Sequence, residues 1–167
     1  ERFIASVQGL TERAPTPNRT QDRTATPHST EAHGFHNEPD TDPAIATNRA
    51  WGRAILSRAK ASTLGVDAIE KATISDAETL ERTIAAAAKA GAAWGALPAS
   101  ERACILHRAG QELAASRGEL LEVMASETGK TIAEGDPEVS EATDFAHYYA
   151  EQALLLEQVE GATFTPF

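Results

Sequence analysis

The 167-residue chain, 41% hydrophobic with a formal net charge of −10, has the length of one domain and a composition that excludes collagen-like and wholly disordered classes. Alanine supplies 33 of its apolar residues and valine only five, which favours helix over sheet and leaves little apolar area per residue. Its longest apolar runs, Ile84 to Ala88 and Ala153 to Leu156, fall far short of the ~18 residues of a membrane span.

A soluble, cytoplasmic protein is expected, and the lone Cys104 excludes an internal disulfide framework and a multi-thiolate metal site. The chain opens at Glu1 and stops at Pro166-Phe167, as a new apolar element begins. It is expected to be a piece of something longer that does no chemistry by itself.

In chain order, Phe3, Ile4, Val7 and Leu10 stand at i, i+1, i+4 and i+7, which suits the end of a helix from an earlier domain. Thr11 to Pro39 is crowded with Thr, Pro, Asn, Asp and His without an apolar period, and reads as an extended or disordered linker. Asp42-Pro43 then offers a side-chain cap followed by a residue with no amide proton to satisfy. A helix is predicted from Pro43 to Ala59, with Ile45, Ala50 or Trp51, and Ile55 toward a core. Thr63-Leu64-Gly65 ends it, and Val66 to Ile74 is read as a connection. Ser75 and Glu78 have capping-box spacing and predict a helix from Asp76 to Leu97. Its stripe of Leu80, Ile84, Ala87 or Ala88, Gly91 and Trp94 predicts a closely packed neighbour.

After Pro98, a helix from Ala99 to Ser116 directs Ala103, Leu106, Gly110 and Leu113 inward, and Glu119 to Glu127 repeats the pattern with Leu120, Val123 and Met124. Thr128-Gly129 closes that segment. Asp136-Pro137 is expected to open the longest helix, to about Val159; Gly161 ends it, and Thr163 to Phe167 alternates like a strand. Residues 119 to 160 hold eleven acids against the single base Lys130, which accounts for the whole charge imbalance. That argues against a nucleic-acid or anionic-membrane partner and reads as a solvated acidic face.

Gly129-Lys130-Thr131 matches the end of a phosphate-binding loop, but Met124 stands where the pattern needs a glycine and a helix precedes it. No cofactor site is assigned to it. His28, His33 and His36 lie in a polar segment without cysteine and are read as exposed imidazoles rather than metal ligands. Asp144 and His147, with Glu138 and Glu141 nearby, have the spacing of half a di-metal site, yet the sequence offers no second Glu-x-x-His element. Cys104, inside a predicted helix, is read as a buried small hydrophobe. Trp51, Trp94, Tyr148 and Tyr149 are read as core or interface aromatics. Glu141, Phe145 and Tyr148, at i, i+4 and i+7, can jointly border a pocket.

Three stretches carry a resemblance. Gly34-Phe35-His36-Asn37-Glu38-Pro39-Asp40-Thr41-Asp42-Pro43 with Asn48-Arg49-Ala50-Trp51 resembles the opening of the aldehyde dehydrogenase half of bacterial bifunctional proline utilization A enzymes. Ala92-Ala93-Trp94, Arg102, Leu106 and then Glu127-Thr128-Gly129-Lys130-Thr131 are similar to the first helices of aldehyde dehydrogenases generally. Glu138-Val139-Ser140-Glu141-Ala142-Thr143-Asp144-Phe145-Ala146-His147-Tyr148-Tyr149-Ala150 resembles the helix that follows in the subfamily oxidising L-glutamate γ-semialdehyde.

The resemblance implies a chain that is mainly α as it stands, the amino-terminal helices of an α/β aldehyde dehydrogenase fold. Residues 1–33 would be the linker from a preceding proline dehydrogenase domain, and residues 34–167 the truncated aldehyde dehydrogenase part. The implied activity is NAD-dependent oxidation of the semialdehyde, formed from 1-pyrroline-5-carboxylate, to L-glutamate in proline catabolism. In that family a cysteine thiolate attacks the aldehyde, hydride passes to NAD, and a glutamate activates the releasing water. The family's motifs for these steps do not match this stretch, and Cys104 does not stand at the nucleophile's place, so no catalytic residue is assigned.

Glu141 matches a carboxylate near the substrate's ammonium group and is the one substrate-binding candidate. NAD, and FAD with an attached proline dehydrogenase domain, are expected in the parent and neither in this piece. The expected partners are the remainder of the aldehyde dehydrogenase domain, the proline dehydrogenase domain in the same chain, and further copies in a homo-oligomer. The contrasting possibility is a non-catalytic helical interaction module that binds through its acidic last helix.

Overall fold

The computed structural model describes residues 4–5, 18–25 and 34–161. Phe3, Val7, Leu10, His28, His33 and the strand expected at Thr163 to Phe167 lie outside the described residues. From residue 34 to residue 161 the described residues form six helices: α1 (Ala46–Ala59), α2 (Val66–Ala72), α3 (Ala77–Gly95), α4 (Ala99–Ala115), α5 (Arg117–Thr128) and α6 (Ile132–Glu157). Among the described residues there is no strand, in keeping with the mainly α expectation. No described helix is long and apolar enough to cross a membrane.

Helix α1 starts three residues later than Pro43. The Asp42 carboxylate accepts the Ala44 amide proton at 2.9 Å and Arg19 at 2.7 Å, and the Asp42 carbonyl accepts from Ile45. These bonds close a turn that competes with the first helical turn. The stretch read as a connection contains α2, because Gly65, at φ +83°, reverses the chain and its carbonyl accepts from Ile69 at 2.9 Å.

At α3 the cap is Asp76 rather than Ser75: its Oδ1 accepts the Thr79 amide at 2.7 Å, while Glu78 turns outward to Arg82. A carboxylate one residue later reaches the N3 amide of its own register, so the Ser75–Glu78 box does not form. The neighbour expected beside α3 is not found among the described residues: none of its residues is buried, and Leu80, Ile84 and Trp94 are exposed.

Helices α4 and α6 run antiparallel, with Ala99 meeting Glu157 and Gly110 meeting His147. Ala99, Ala103 and Gly110 of α4 and Ala150 of α6 are buried, small residues that let the two backbones approach. Helix α5 ends as expected at Gly129, whose φ of +72° an L side chain resists. It supplies Leu121, which the 3.6-residue pattern through Leu120 and Met124 overlooked. Leu121 is buried with Ile55 of α1 and Val139 of α6, and Trp51, Leu120, Met124 and Ile132 pack around them.

Helix α6 begins four residues before Asp136. Thr131 and Glu134 form the capping box, the Glu134 carboxylate accepting the Thr131 amide at 2.9 Å, and this local signal outweighs Asp136-Pro137. Pro137 consequently sits inside the helix and leaves the carbonyl of exposed Ala133 without an amide donor. At Gly135 a Cβ would stand 2.9 Å from Leu121 Cδ2, so α5 and α6 touch where glycine permits it.

Candidate functional site

A buried charge network joins the segments preceding α1 to α5 and α6. Arg117, at the first turn of α5 and 2% exposed, donates to Asp136 Oδ1 at 2.9 Å, to Ser140 Oγ at 3.1 Å and to Glu38 Oε1 at 3.0 Å. Asp136 accepts in addition from the Thr41 hydroxyl at 2.7 Å and from the Thr41 amide. Arg23 reaches Glu38, the Thr41 hydroxyl and the Pro39 carbonyl. Burial and the nearby Arg117 charge lower the Arg23 pKa, while Asp136 and Glu38 hold it up. Such buried ions persist only when paired and hydrogen-bonded, and all of these are, except for the buried Arg117 Nε, which has no partner among the described residues. Residues 18–25, although irregular, are therefore docked: Arg19 on Asp42, Gln21 on the Asp40 carbonyl and Asn48, Arg23 on the network.

Beyond the network the chain from Phe35 to Asp42 lies along α6 as a strap. Asp144 accepts the Asn37 side-chain amide at 2.7 Å and the Glu38 backbone amide at 2.6 Å, and Phe35 packs edge-on against Tyr148 with ring centroids 5.4 Å apart. Between strap and helix is an open hollow of about 770 Å³, lined by Phe35, Asn37, Glu38 and Asp40 on one side and by α6 residues that include Glu141, Asp144, Phe145 and Tyr148 on the other. The acid and two aromatics expected to border a pocket do so together. Among the lining acids, Glu38 and Asp144 are engaged as described; Glu141 and Asp40 have no side-chain partner among the described residues. A hollow with two unpaired carboxylates and aromatic faces suits a cationic group.

The other motifs are put to structural use. Gly129 ends α5, Lys130 pairs with Glu138 and Thr131 caps α6, so these three residues are taken up by helix ends and an ion pair. His147 faces His107 across the α4–α6 contact with their Nδ1 atoms 2.8 Å apart, and His107 Nε2 lies 3.3 Å from Glu151. The carboxylate favours a proton on His107 Nε2, which makes His107 Nδ1 the acceptor and His147 the donor. His36 is exposed.

The Aldehyde dehydrogenase family is matched over residues 60–165, more than half of the chain. The chain belongs to the aldehyde dehydrogenase family. The bifunctional protein PutA of Escherichia coli is 40% identical over 73 residues, 44% of this chain and 6% of that protein. 1-Pyrroline-5-carboxylate dehydrogenase 2 of Bacillus subtilis is 38% identical over 79 residues, 47% of this chain and 15% of its own. Glutarate-semialdehyde dehydrogenase of Pseudomonas putida is 40% identical over 77 residues, 46% of this chain and 16% of its own. The chain thus spans less than a fifth of the length of each of these relatives. No solved structure matches it.

Within this aldehyde dehydrogenase stretch one reading of the sequence needs correction and one holds only in part. Cys104 is exposed: the period that buries Ala103 and Gly110 carries residue 104 round to the flank of the interface. Seven of the eleven acids of residues 119 to 160 are exposed, as a solvated face requires, but Glu122 and Asp136 are buried and several others are paired. Glu122 accepts from Ser62 and Arg58, which lower its pKa; Asp136 meets Arg117, Glu138 meets Lys130, and Glu157 accepts the Ala99 amide. Most of the balancing groups come from residues 37 to 117, so a charge sum by segment could not reveal them. Of the aromatics, Trp51 joins the core, whereas Trp94, Tyr148 and Tyr149 are exposed.

Proposed function

We propose that residues 34–167 are the amino-terminal helical part of a 1-pyrroline-5-carboxylate dehydrogenase, with residues 1–33 leading from a proline dehydrogenase domain of the same chain. The parent oxidises L-glutamate γ-semialdehyde to L-glutamate. In it, Glu141 borders the substrate's ammonium group. The observation that carries this reading is the hollow on α6, where Glu141, without a side-chain partner among the described residues, shares a lining with Phe145, Tyr148 and the strap. The name of the B. subtilis relative, 1-pyrroline-5-carboxylate dehydrogenase 2, supports the same substrate class.

Bound to the parent, NAD supplies the hydride acceptor. In this reading FAD belongs to the proline dehydrogenase part. The residues of this chain contribute at the other end of the substrate. A fixed carboxylate at a helix surface attracts an ammonium group weakly in open water, and more strongly once bound substrate displaces that water. The aromatic faces of Phe145 and Tyr148 exclude water from the same side and favour a cation.

Glutamate and glutarate semialdehydes have the same carbon chain and differ by the ammonium group, so they isolate this contact. In the full-length enzyme, Glu141→Ala is expected to lower kcat/KM for glutamate semialdehyde ~10- to 100-fold, the range for losing a charged hydrogen bond, and to leave glutarate semialdehyde nearly unchanged. Equal effects on both substrates would remove Glu141 from the site. The 167-residue chain alone is expected to give no turnover in the same assay.

A further inference from the structure

Asp144 makes two charge-assisted hydrogen bonds to one short segment. Its Oδ1 accepts the backbone amide of Glu38 at 2.6 Å and its Oδ2 accepts the Asn37 side chain at 2.7 Å, both within the range of strong bonds to a carboxylate. Asn37 and Glu38, with Phe35 and Asp40, are strap residues that line the hollow. On α6, Asp144 follows Glu141 by three residues and therefore shares its face. The distance from Glu141 to the strap wall is thus set on a single rigid helix, at one end by the unpaired acid and at the other by the clamp. Of the strap's other anchors, Phe35 on Tyr148 also borders the hollow, whereas Thr41 on Asp136 and the Glu38 carboxylate drawn to Arg117 and Arg23 join it to the buried network. Asp136 and Arg117 are buried, whereas Asp144 is only half-buried, so its loss perturbs the hollow more selectively than the fold.

We propose that Asp144 is a positioning residue: by accepting from Asn37 and Glu38 it docks the strap on α6, so that the hollow beside Glu141 is formed before substrate arrives. This rests on the reading of the hollow as the semialdehyde site. Asp144 acts as a hydrogen-bond acceptor that holds protein, not as an anion that meets the ligand. Preformed walls lower the ordering cost of binding without altering the chemical step.

The two roles separate on substitution in the full-length enzyme. In Asp144→Asn the carboxamide oxygen still accepts from the Glu38 amide, and Asn37, with no other side-chain partner among the described residues, can turn its amide over and accept from the new NH2. Asp144→Ala keeps neither bond. Asp144→Ala is expected to raise KM for glutamate semialdehyde about 10-fold with kcat within about twofold, and to speed hydrogen exchange at the Glu38 amide. Asp144→Asn is expected to restore both. If Asp144→Asn is as impaired in KM as Asp144→Ala while its Glu38 amide stays protected, the carboxylate acts by charge and the positioning role is overturned. Unchanged KM and exchange in Asp144→Ala overturn it as well. Glu141→Gln, measured alongside, tests the underlying reading. If it discriminates between glutamate and glutarate semialdehydes as the wild type does, the hollow is not the substrate site, whereas exchange at Glu38 still reports whether Asp144 holds the strap.

Discussion

Helices α3 and α4 are both rich in alanine and both carry an apolar stripe, yet one is clasped and the other bare. Ala99, Ala103 and Gly110 of α4 are buried against α6, while α3 buries nothing and exposes Leu80, Ile84 and Trp94. A stripe of small residues stabilises little by area alone. It packs where the facing helix is also small at the contact, as at Ala150, and where polar anchors fix the pair. Here Glu157 on the Ala99 amide and His107 on His147 do so. An amphipathic pattern therefore tells that a helix has a face to cover, but not what covers it.

The sharpest contrast is electrostatic. Arg117→Ala strands the buried Asp136 carboxylate and should cost about 3–5 kcal/mol. Arg82→Ala removes an exposed pair four residues apart on α3 and should cost less than about 0.5 kcal/mol. Urea denaturation of both variants measures the difference, and similar midpoints would mean that the Arg117 network contributes no more than the exposed pair on α3.

Glycine substitutions set the same regions against each other with opposite signs. At Gly110 an added Cβ would meet His147 Nε2 at 2.7 Å, an overlap within a packed contact, and Gly110→Ala should destabilise by about 1–3 kcal/mol. At Gly91 of α3 nothing lies within 4 Å, so Gly91→Ala should stabilise by about 0.5–1 kcal/mol through helix propensity. A loss of stability in Gly91→Ala would reveal a covered face on α3.

The smallest effect is a pH dependence confined to the clasped pair. Burial first, and the His107 charge second, lower the His147 pKa below its ordinary 6.5, while Glu38, Asp144 and Glu151 oppose the shift. The unfolded chain binds the proton first as pH falls. The contribution to stability is thus complete above pH 6.5 and is lost as pH falls through the lowered folded value. Denaturation midpoints compared at about pH 7.5 and about pH 5 should drop more in the wild type than in His147→Gln; equal drops would exclude the histidine pair as the cause.

Periodicity located α4, the body of α1 and the existence of α3, because each has a clean 3.6-residue stripe and a terminal signal. The starts of α1 and α6 were misplaced because Asp42 and Asp136, both ahead of prolines, looked like caps. Asp42 instead closes a turn, and Asp136 turns inward to Arg117 and Thr41. Glu141, Phe145 and Tyr148 were legible as one face of a helix, since their spacing is local. The strap wall was not, because Asn37 and Glu38 meet Asp144 across more than a hundred residues and nothing in their own neighbourhood announces it. Arg117 was equally hidden: a lone arginine after a serine gives no sign that it will be buried among three acceptors.

That separation also gives the hollow a place in time. Asp144 follows Glu38 by 106 residues and Asn37 by 107, and Arg117 follows Glu38 by 79. On a ribosome adding about 5–20 residues per second, the strap leaves the tunnel some 5–20 s before its clamp does. In that interval Asn37 and the Glu38 amide are hydrogen-bonded to water. The closure entropy of so long a loop grows only slowly with its length, so the delay is one of synthesis rather than of search. Helices α1 to α5 emerge without the strap in place, and the hollow comes into being only when α6 does.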